Sequence, residues 1–407
     1  MRRKAHQETE YLDAAMRRLE HDAALRERAD AELRAVASQE PLIAESLRTP
    51  QSPPHHCEGP AMDSHLRRIL TVVYALVGGK LRLLDIEEFR RLKGYEGKIQ
   101  DLEETIKENA ALFECFALCH DAAKWATLSF TSLPGSRGAA LGFETEPMAH
   151  WHDIGVSERA KLRARYLELY DMFASERAQE PPRASQQAFF DAYGIQCHYP
   201  GHDRAVHTPN YHGLLHRVCD AHRLTDRDAA LLEEVIAHHL DAFEDFSRRA
   251  NPARIDRLQK LATDRGFDGD DLIGLMQAAL LLDGVCGSAR HSPHGGVWHD
   301  PTPLIHFLRA EHDYAPWKRA EKEKRRAEDR TRDRNRRFRK AGLDGLALMD
   351  LLKMEPGPKF GRALAVIHAA VLGEVPWPKL PEDKKKELEK RATRFYALEF
   401  EKDGDGE

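Results

Sequence analysis

The sequence predicts an all-α protein. Leu and Ala recur at three- and four-residue spacing along most of the 407 residues, whereas the alternation of β-branched residues that is typical of strands is confined to short runs. The hydrophobic fraction of 42% is sufficient for a core, and 26 Gly with 21 Pro is close to the average share, which excludes a disordered or collagen-like chain. The chain exceeds the length of one ordinary domain, so we expect two or three structural units.

Periodicity and turn residues place the elements in order. A charged amphipathic helix is predicted at 8–38, where a narrow apolar stripe would suit a partner helix, and the Pro-rich segment 41–59 is predicted to be a linker. Further helices are predicted at about 63–77, 85–93, 98–125, 156–178, 185–192, 210–223, 226–247, 252–265, 268–283 and 301–340. The resulting organisation is an N-terminal helix and linker at 1–60, a helical domain at 61–316, a basic helix at 317–341, and a C-terminal helical unit with an acidic tail at 342–407.

Positive charge is concentrated in one segment. Residues 318–340 contain 13 Lys/Arg and 5 Asp/Glu, although the whole chain has a net charge of -5. Two interpretations stay open: a solvated helix that links two bodies, or a surface that tracks the phosphates of RNA, DNA or a polyphosphorylated substrate.

Six cysteines are too few for a disulfide scaffold, and the first residues lack the apolar core of a signal peptide. The longest apolar stretch is far short of the ~20 residues that cross a bilayer. We therefore expect a cytoplasmic protein without a membrane span.

Histidine is the most informative residue type, with 22 copies. The segment NAALFECFALCHDAAKW predicts an apolar helix whose end presents His120 and Asp121, followed by Lys124. An adjacent imidazole and carboxylate can bind the same cation. Cys115 and Cys119 lie inside this apolar helix and are expected to be packed thiols rather than metal ligands.

Further candidate ligands follow in the second half of the chain. A predicted helical hairpin would bring His212, at the start of one helix, to the level of the His238–His239 pair near the end of the next. His202 and His207 are alternatives to His212. Asp283 ends an apolar helix, where a carboxylate requires a cation or a hydrogen-bond partner.

The order His, His-Asp, His, His-His, Asp resembles the HD superfamily of metal-dependent phosphohydrolases over about residues 62–300. The HD-x-x-K form of its motif is present at residues 120–124. The resemblance implies a helical bundle with insertions at about 79–105 and 127–205, the second a candidate lid over the substrate. It also implies a centre for one or two divalent metals, with the ligands His65, His120, Asp121, His212, His238, His239 and Asp283.

The resemblance implies a role for each group. Asp121 would bridge two cations, because a carboxylate has two oxygens, and a metal-activated water would attack phosphorus. Asp121 and Lys124 are thus the candidate catalytic residues, and Lys124 and Arg290 would bind the phosphate. The ligand types do not distinguish Mn, Fe, Co, Ni, Zn and Mg.

A second His-Asp pair, His152–Asp153, occurs in an HDIG sequence that is closer to the family consensus. The residues before it contain Gly and Pro instead of forming an apolar helix, so we expect turn and N-cap residues there.

Residues 343–375 resemble the C-terminal helical segment of bacterial CCA-adding tRNA nucleotidyltransferases and poly(A) polymerases. The matching residues are Gly345, Pro356, Gly357, Pro358 and Gly361. Here the prolines would fix the connection between two helices, and Gly357 and Gly361 would permit a tight turn and a close helix approach. Too few residues separate Gly78–Gly79 from His120 for the nucleotidyltransferase head of that family, so polymerisation is not expected.

The leading functional hypothesis is an HD-type phosphohydrolase or phosphodiesterase that acts on a nucleotide or an RNA-end phosphoester. The alternative is a non-catalytic RNA-binding or scaffold protein that retains the helical fold. A third hypothesis is a partner module that works through residues 8–38. The sequence does not determine the oligomeric state.

Overall fold

A computed structural model describes residues 10–51, 56–143, 155–180, 182–291, 297–340, 342–371 and 381–400. The chain divides into two compact units, Met1–Tyr314 and Ala315–Glu407. The all-α class is confirmed, since the strands in the described ranges form only two short two-stranded sheets. Over these ranges, every helix is too short or too polar to cross a bilayer.

The N-terminal residues belong to the first unit. The helix predicted at 8–38 is divided into two, α1 (Leu12–Glu20) and α2 (Ala23–Gln39). The segment predicted to be a linker begins with a further helix, α3 (Pro41–Ser46). The break comes at Asp22, whose side chain accepts a hydrogen bond from the Leu25 backbone and so caps α2. The apolar side chains of α1 and α2, among them Leu19 and Leu33, are buried in the main core. The stripe that was expected to suit a separate partner is therefore covered by this chain's own core.

Helix α4 (Met62–Val77) lies at the centre of the first unit. Twelve of its 16 residues are buried, because α4 packs against α2, against the following helices and against a π-helical turn at Leu281–Gly287. The next elements are α5 (Glu87–Arg90), α6 (Glu96–Glu108), α7 (Ala110–Cys119) and α8 (Lys124–Thr127). The expected helix at 98–125 is thus interrupted at Asn109 and ends at His120.

The second expected insertion, 127–205, is a small α/β lobe rather than a simple lid. Its described elements are β1 (Ser129–Ser132), α9 (Arg137–Ala140), α10 (Val156–Ser175), α11 (Pro182–Tyr193) and β2 (Ile195–His198). β1 pairs antiparallel with β2 in the register Ser129 to His198. Aromatic residues such as Phe130, Tyr166 and Phe189 give this inserted lobe a core of its own.

The remainder of the first unit is helical. It comprises a 3-10 turn (Arg204–His207), α12 (Pro209–Ala221), α13 (Asp226–Phe246), α14 (Pro252–Arg265), α15 (Gly269–Leu280), a π-helical turn (Leu281–Gly287), the short strands β3 (Arg290–His291) and β4 (Val297–Trp298), and α16 (Thr302–His312). Helices α12 and α13 form the predicted hairpin and are joined by a short loop, whose last residue Thr225 makes a capping box with Asp228 in the first turn of α13.

The second unit contains all of α17 (Tyr314–Lys340) except its first residue, together with α18 (Gly345–Leu352), α19 (Pro358–Val371) and α20 (Glu382–Phe400). Its core includes Phe338, Leu348 and Leu388. The expected close approach at Gly357 and Gly361 is wrong, since a Cβ added at either position would meet no atom within 4 Å. Pro358 begins α19 instead, where a proline costs no hydrogen bond.

Candidate metal centre

Three segments far apart in the chain bring one group of candidate ligands together. His65 lies on the first turns of α4, His120 ends α7, Asp121 follows it, and Asp283 lies in the π-helical turn after α15. His65 Nε2 is 3.1 Å from Asp283 Oδ1 and 3.7 Å from Asp121 Oδ2. His120 Nε2 is 3.3 Å from Asp121 Oδ2 and 3.8 Å from Asp283 Oδ1. These four predicted ligands therefore surround one point.

A second group forms around the other oxygen of Asp121. His202 Nε2 is 3.1 Å from Asp121 Oδ1, and His239 Nε2 is 4.0 Å from the same atom. His202 comes from the end of the inserted lobe, and His239 comes from the inner face of α13. Asp121 thus presents one carboxylate oxygen to each group. We call the two groups together the buried centre.

The histidine tautomers are set by hydrogen bonds on the far side of each ring. The Nδ1 atoms of His120, His202 and His239 lie 3.0, 2.7 and 2.6 Å from the backbone oxygens of Phe116, Tyr199 and Ile236. A carbonyl oxygen only accepts, so each Nδ1 must carry a proton. The Nε2 lone pairs of the neutral rings are then free to bind a cation, which is the usual arrangement of metal-binding histidines.

Several buried atoms of the centre lack hydrogen bonds of acceptable geometry. They are His65 Nε2, His120 Nε2, His202 Nε2 and both carboxylate oxygens of Asp121. Buried polar atoms are normally satisfied, and lone pairs that face each other across 3.1 Å repel unless a cation lies between them. Metal–ligand bonds of about 2.1 Å place neighbouring ligand atoms about 3.0–3.4 Å apart. Two of the observed separations lie in that range: 3.1 Å between His65 Nε2 and Asp283 Oδ1, and 3.3 Å between His120 Nε2 and Asp121 Oδ2. The buried centre could therefore hold a metal ion.

Neighbouring residues shift the pKa values of Asp121 and His65 in the buried centre. Burial by itself would raise the pKa of Asp121, but the neighbouring His120 ring and the ammonium group of Lys124 lower this pKa well below its usual range. Burial would lower the pKa of His65, but the carboxylates of Asp283 and Glu58 outweigh it and raise this pKa to about 10. The proton on His65 therefore supplies positive charge that a bound metal ion would replace.

Burial acts in the opposite direction on His239. It lowers the pKa of this ring to about 4, which the opposing attraction of Asp283 does not offset. The ring is therefore neutral at physiological pH, as a metal ligand must be.

Glu58, which lies in the segment predicted to be a linker, is a further buried residue of the site. Its buried carboxylate is 3.0 Å from His65 Nδ1 and 2.8 Å from His56 Nδ1. The other oxygen accepts a hydrogen bond from the Ala289 backbone. The contact between Glu58 and His65 Nδ1 orients the His65 ring, so that Nε2 faces the other candidate ligands. A carboxylate commonly supports a metal-bound histidine in this way. An acid seven residues before a candidate ligand gives no sequence signal that would have identified it.

Gly287 permits the close approach of the turn that carries Asp283. A Cβ at this position would lie 3.1 Å from His65 Cε1, 2.9 Å from Ile69 Cγ1 and 2.6 Å from the Leu282 backbone oxygen. Only glycine allows the π-helical turn to lie so close to α4. Such single π-turns occur frequently at functional sites.

Two predicted ligands lie elsewhere. The hairpin brings His212 opposite Glu233, with Nδ1 2.9 Å from Glu233 Oε1, and leaves half of the His212 side chain exposed. His238 turns away from its neighbour His239 and lies 2.7 Å from Asp241. Successive residues of a helix point about 100° apart, so only one of the His238–His239 pair can face inward. His202, an alternative from the sequence, occupies the place expected for His212.

Lys124 is buried, and its Nζ is 2.7 Å from Asp121 Oδ2 and 5.0 Å from the centre of the Tyr199 ring. The ammonium group of Lys124, which was predicted to bind phosphate, thus lies beside the buried centre and pairs with the Asp121 carboxylate. The side chain of Arg290 and the alternative pair His152–Asp153 lie outside the described residues. Cys115 and Cys119 are buried, as expected for packed thiols.

No protein-family model, curated protein or solved structure matches this chain.

Proposed function

We propose that the protein is a metal-dependent phosphohydrolase that acts on a nucleotide or an RNA-end phosphoester at the buried centre. The observation that carries the proposal is the position of Asp121, with one carboxylate oxygen towards His65 and His120 and the other towards His202 and His239. A carboxylate that lies between two pairs of imidazole rings, with one oxygen towards each pair, is a donor set for two divalent ions. When bound, such ions supply Lewis acidity for the attack of water on a phosphoester.

The chain's own residues would bind and orient the reactants. Lys124 places an ammonium group beside Asp121, where it can bind a phosphoryl oxygen while the carboxylate binds metal. Asp283 retains 17% of its side-chain exposure, whereas the side chains of His65 and His120 are fully buried. Substrate would therefore approach the centre from the Asp283 side.

The alternative, a non-catalytic RNA-binding protein, receives no specific support from the basic helix. Exposed α17 contains ion pairs within the helix, such as Arg325 with Glu321 and Arg336 with Asp333. Pairs at this spacing are typical of a solvated helix. RNA binding that is sensitive to salt and survives removal of all metal would favour this alternative.

The test of the proposal is the Asp121→Ala variant, with Asp220→Asn on the exposed side of α12 as the matched control. Both proteins would be analysed for bound metal. They would then be assayed on nucleotide monoesters, cyclic diesters and RNA with a 2′,3′-cyclic end in the presence of Mn²⁺, Zn²⁺ or Mg²⁺. We expect Asp121→Ala to lose both metal and hydrolysis and the control to keep both. An unchanged rate of hydrolysis in Asp121→Ala would refute the proposal.

A further inference from the structure

A second group of imidazoles lies on the surface of the first unit, where α12 and α13 meet. His212 and His216 are four residues apart on α12, and their ring centres are 4.4 Å apart. Glu233 of α13 faces them, with Oε1 2.9 Å from His212 Nδ1. One ligand atom from each of these three residues lies within 4.8 Å of the others.

A third histidine contacts the same carboxylate. His207 ends the 3-10 turn that precedes α12, and its Nδ1 is 3.2 Å from Glu233 Oε1. Glu233 keeps only 14% of its side-chain exposure, so its carboxylate is held in place, whereas the rings of His207 and His212 are open to solvent. His212, His216 and Glu233 thus bring one ligand atom each to one surface position, and His207 contacts the same carboxylate from a third element.

We propose that His207, His212, His216 and Glu233 form a separate transition-metal site, which suits Zn²⁺ or Ni²⁺. Three nitrogen donors and one oxygen donor match the ligand types and the number of a closed tetrahedral zinc site. They suit Mg²⁺ poorly, because it prefers oxygen ligands. Two histidines four residues apart on a helix lie on one face, so α12 presents both rings in the same direction.

The position of this surface site suggests its role. The turn Arg204–His207 begins two residues after His202, a candidate ligand of the buried centre. On one side, Arg204 pairs with Asp241 of α13; on the other, His207 contacts Glu233. A metal ion bound by His207 together with α12 and α13 would fasten this turn to the hairpin and so keep His202 in place. The site is thus a structural anchor for a segment of the inserted lobe.

This inference does not rest on the proposed hydrolase activity, and its test measures binding alone. Zn²⁺ would be titrated into the full chain without a histidine tag, in competition with a chromophoric chelator and with excess Mg²⁺ present. The test protein is the double variant His212→Ala with His216→Ala. The control is His312→Ala, another exposed histidine beside an acid.

We expect the wild-type protein and His312→Ala to bind one more equivalent of Zn²⁺ than the double variant does. The affinity at that site should fall by at least about 100-fold, because loss of an outer-shell partner alone costs roughly 10–100-fold. Asp121→Asn should lose Zn²⁺ at the buried centre and keep the surface equivalent. Equal stoichiometry and affinity in the wild-type protein and the double variant would overturn the site.

The anchoring role has its own measurement. In the Asp121→Asn protein, Zn²⁺ should slow hydrogen exchange of the backbone amides between 203 and 208, and this protection should be absent when His212 and His216 are also replaced. If Zn²⁺ binds at the surface site but exchange in this segment is unchanged, the anchoring role is wrong.

Discussion

Asp121 Oδ1 lies 3.1 Å from Nε2 of His202, a residue that the inserted lobe delivers to the helical core. The contact joins the end of α7 to a segment that begins only after the whole β1–β2 lobe has been completed. The lobe folds around its own aromatic core, so its C-terminal end has a defined position. The folding of the lobe is therefore coupled to the assembly of the second half of the buried centre.

The neighbours His238 and His239 provide a matched pair of variants. We expect His239→Ala to lower the number of metal ions bound at the buried centre, because its Nε2 faces Asp121. We expect His238→Ala to leave that number unchanged, because this ring contacts Asp241 on the outer face of α13. Elemental analysis of both purified proteins after equal metal exposure makes the comparison. Metal loss in His238→Ala with full retention in His239→Ala would contradict the observed orientation of α13.

Glu58 should tune metal affinity without binding the metal itself. In Glu58→Gln the amide cannot supply the negative charge that orients His65 and increases the basicity of its ring. We expect the dissociation constant for Mn²⁺ or Zn²⁺ to rise by roughly 10–100-fold, as for other losses of a ligand's supporting carboxylate. Competition titration measures it, with the exposed Glu27→Gln as control. Equal constants in the two variants would exclude a positioning role for Glu58.

The ion pair between His222 and Glu32 predicts a pH dependence of stability. His222 Nε2 is 3.2 Å from Glu32 Oε1, and the hydrogen bond to Glu32 raises the pKa of His222 above its unfolded value of 6.5. The same contact lowers the pKa of Glu32 below its unfolded value of 4.5, although burial opposes this. The stabilisation from His222 is complete below its unfolded pKa and is lost as pH rises through the raised pKa. The stabilisation from Glu32 is present above its unfolded pKa and is lost as pH falls through the lowered pKa.

The measurement is urea unfolding of the wild-type protein and His222→Asn at about pH 5.5 and about pH 8.5. We expect the difference in unfolding free energy to be up to about 1 kcal/mol at the lower pH, the upper end for a partly exposed pair, and to shrink at the higher pH. A difference that grows with pH would show that the pair is not charged as described.

The N-terminal helices should behave as core rather than as a docking module. Leu19 of α1 is 2% exposed, and truncation to alanine leaves a cavity in the main core. We expect Leu19→Ala to lower the unfolding free energy of the first unit by about 2–5 kcal/mol. The exposed Arg34→Ala in α2 is the control and should change it by less than about 0.5 kcal/mol. Denaturant unfolding decides, and a negligible cost for Leu19→Ala would restore the partner-module hypothesis.

Local sequence signals were sufficient to place a candidate ligand whose position depends only on its own helix. The apolar run before His120 predicts a buried helix end, and the structure ends α7 at Cys119 with His120 as its cap. Asp283 follows an apolar helix in the same way. His65, on a helix with an almost continuous apolar surface, has to be buried wherever that helix packs.

Tertiary structure decided between candidate ligands where the choice depends on which way a helix faces or on where a long segment returns to the core. The sequence left His202, His207 and His212 as alternatives, because nothing local specifies how a lobe will return to the core; the position of the lobe selected His202. The rotation of α13 about its axis selected His239 over His238. By itself the sequence determined the helical class and the candidate ligands at the ends of apolar helices, since both depend on periodicity within one segment. Only the packed tertiary structure decided which side chains face one another in the buried centre, because contacts between distant segments depend on the packing of the whole core.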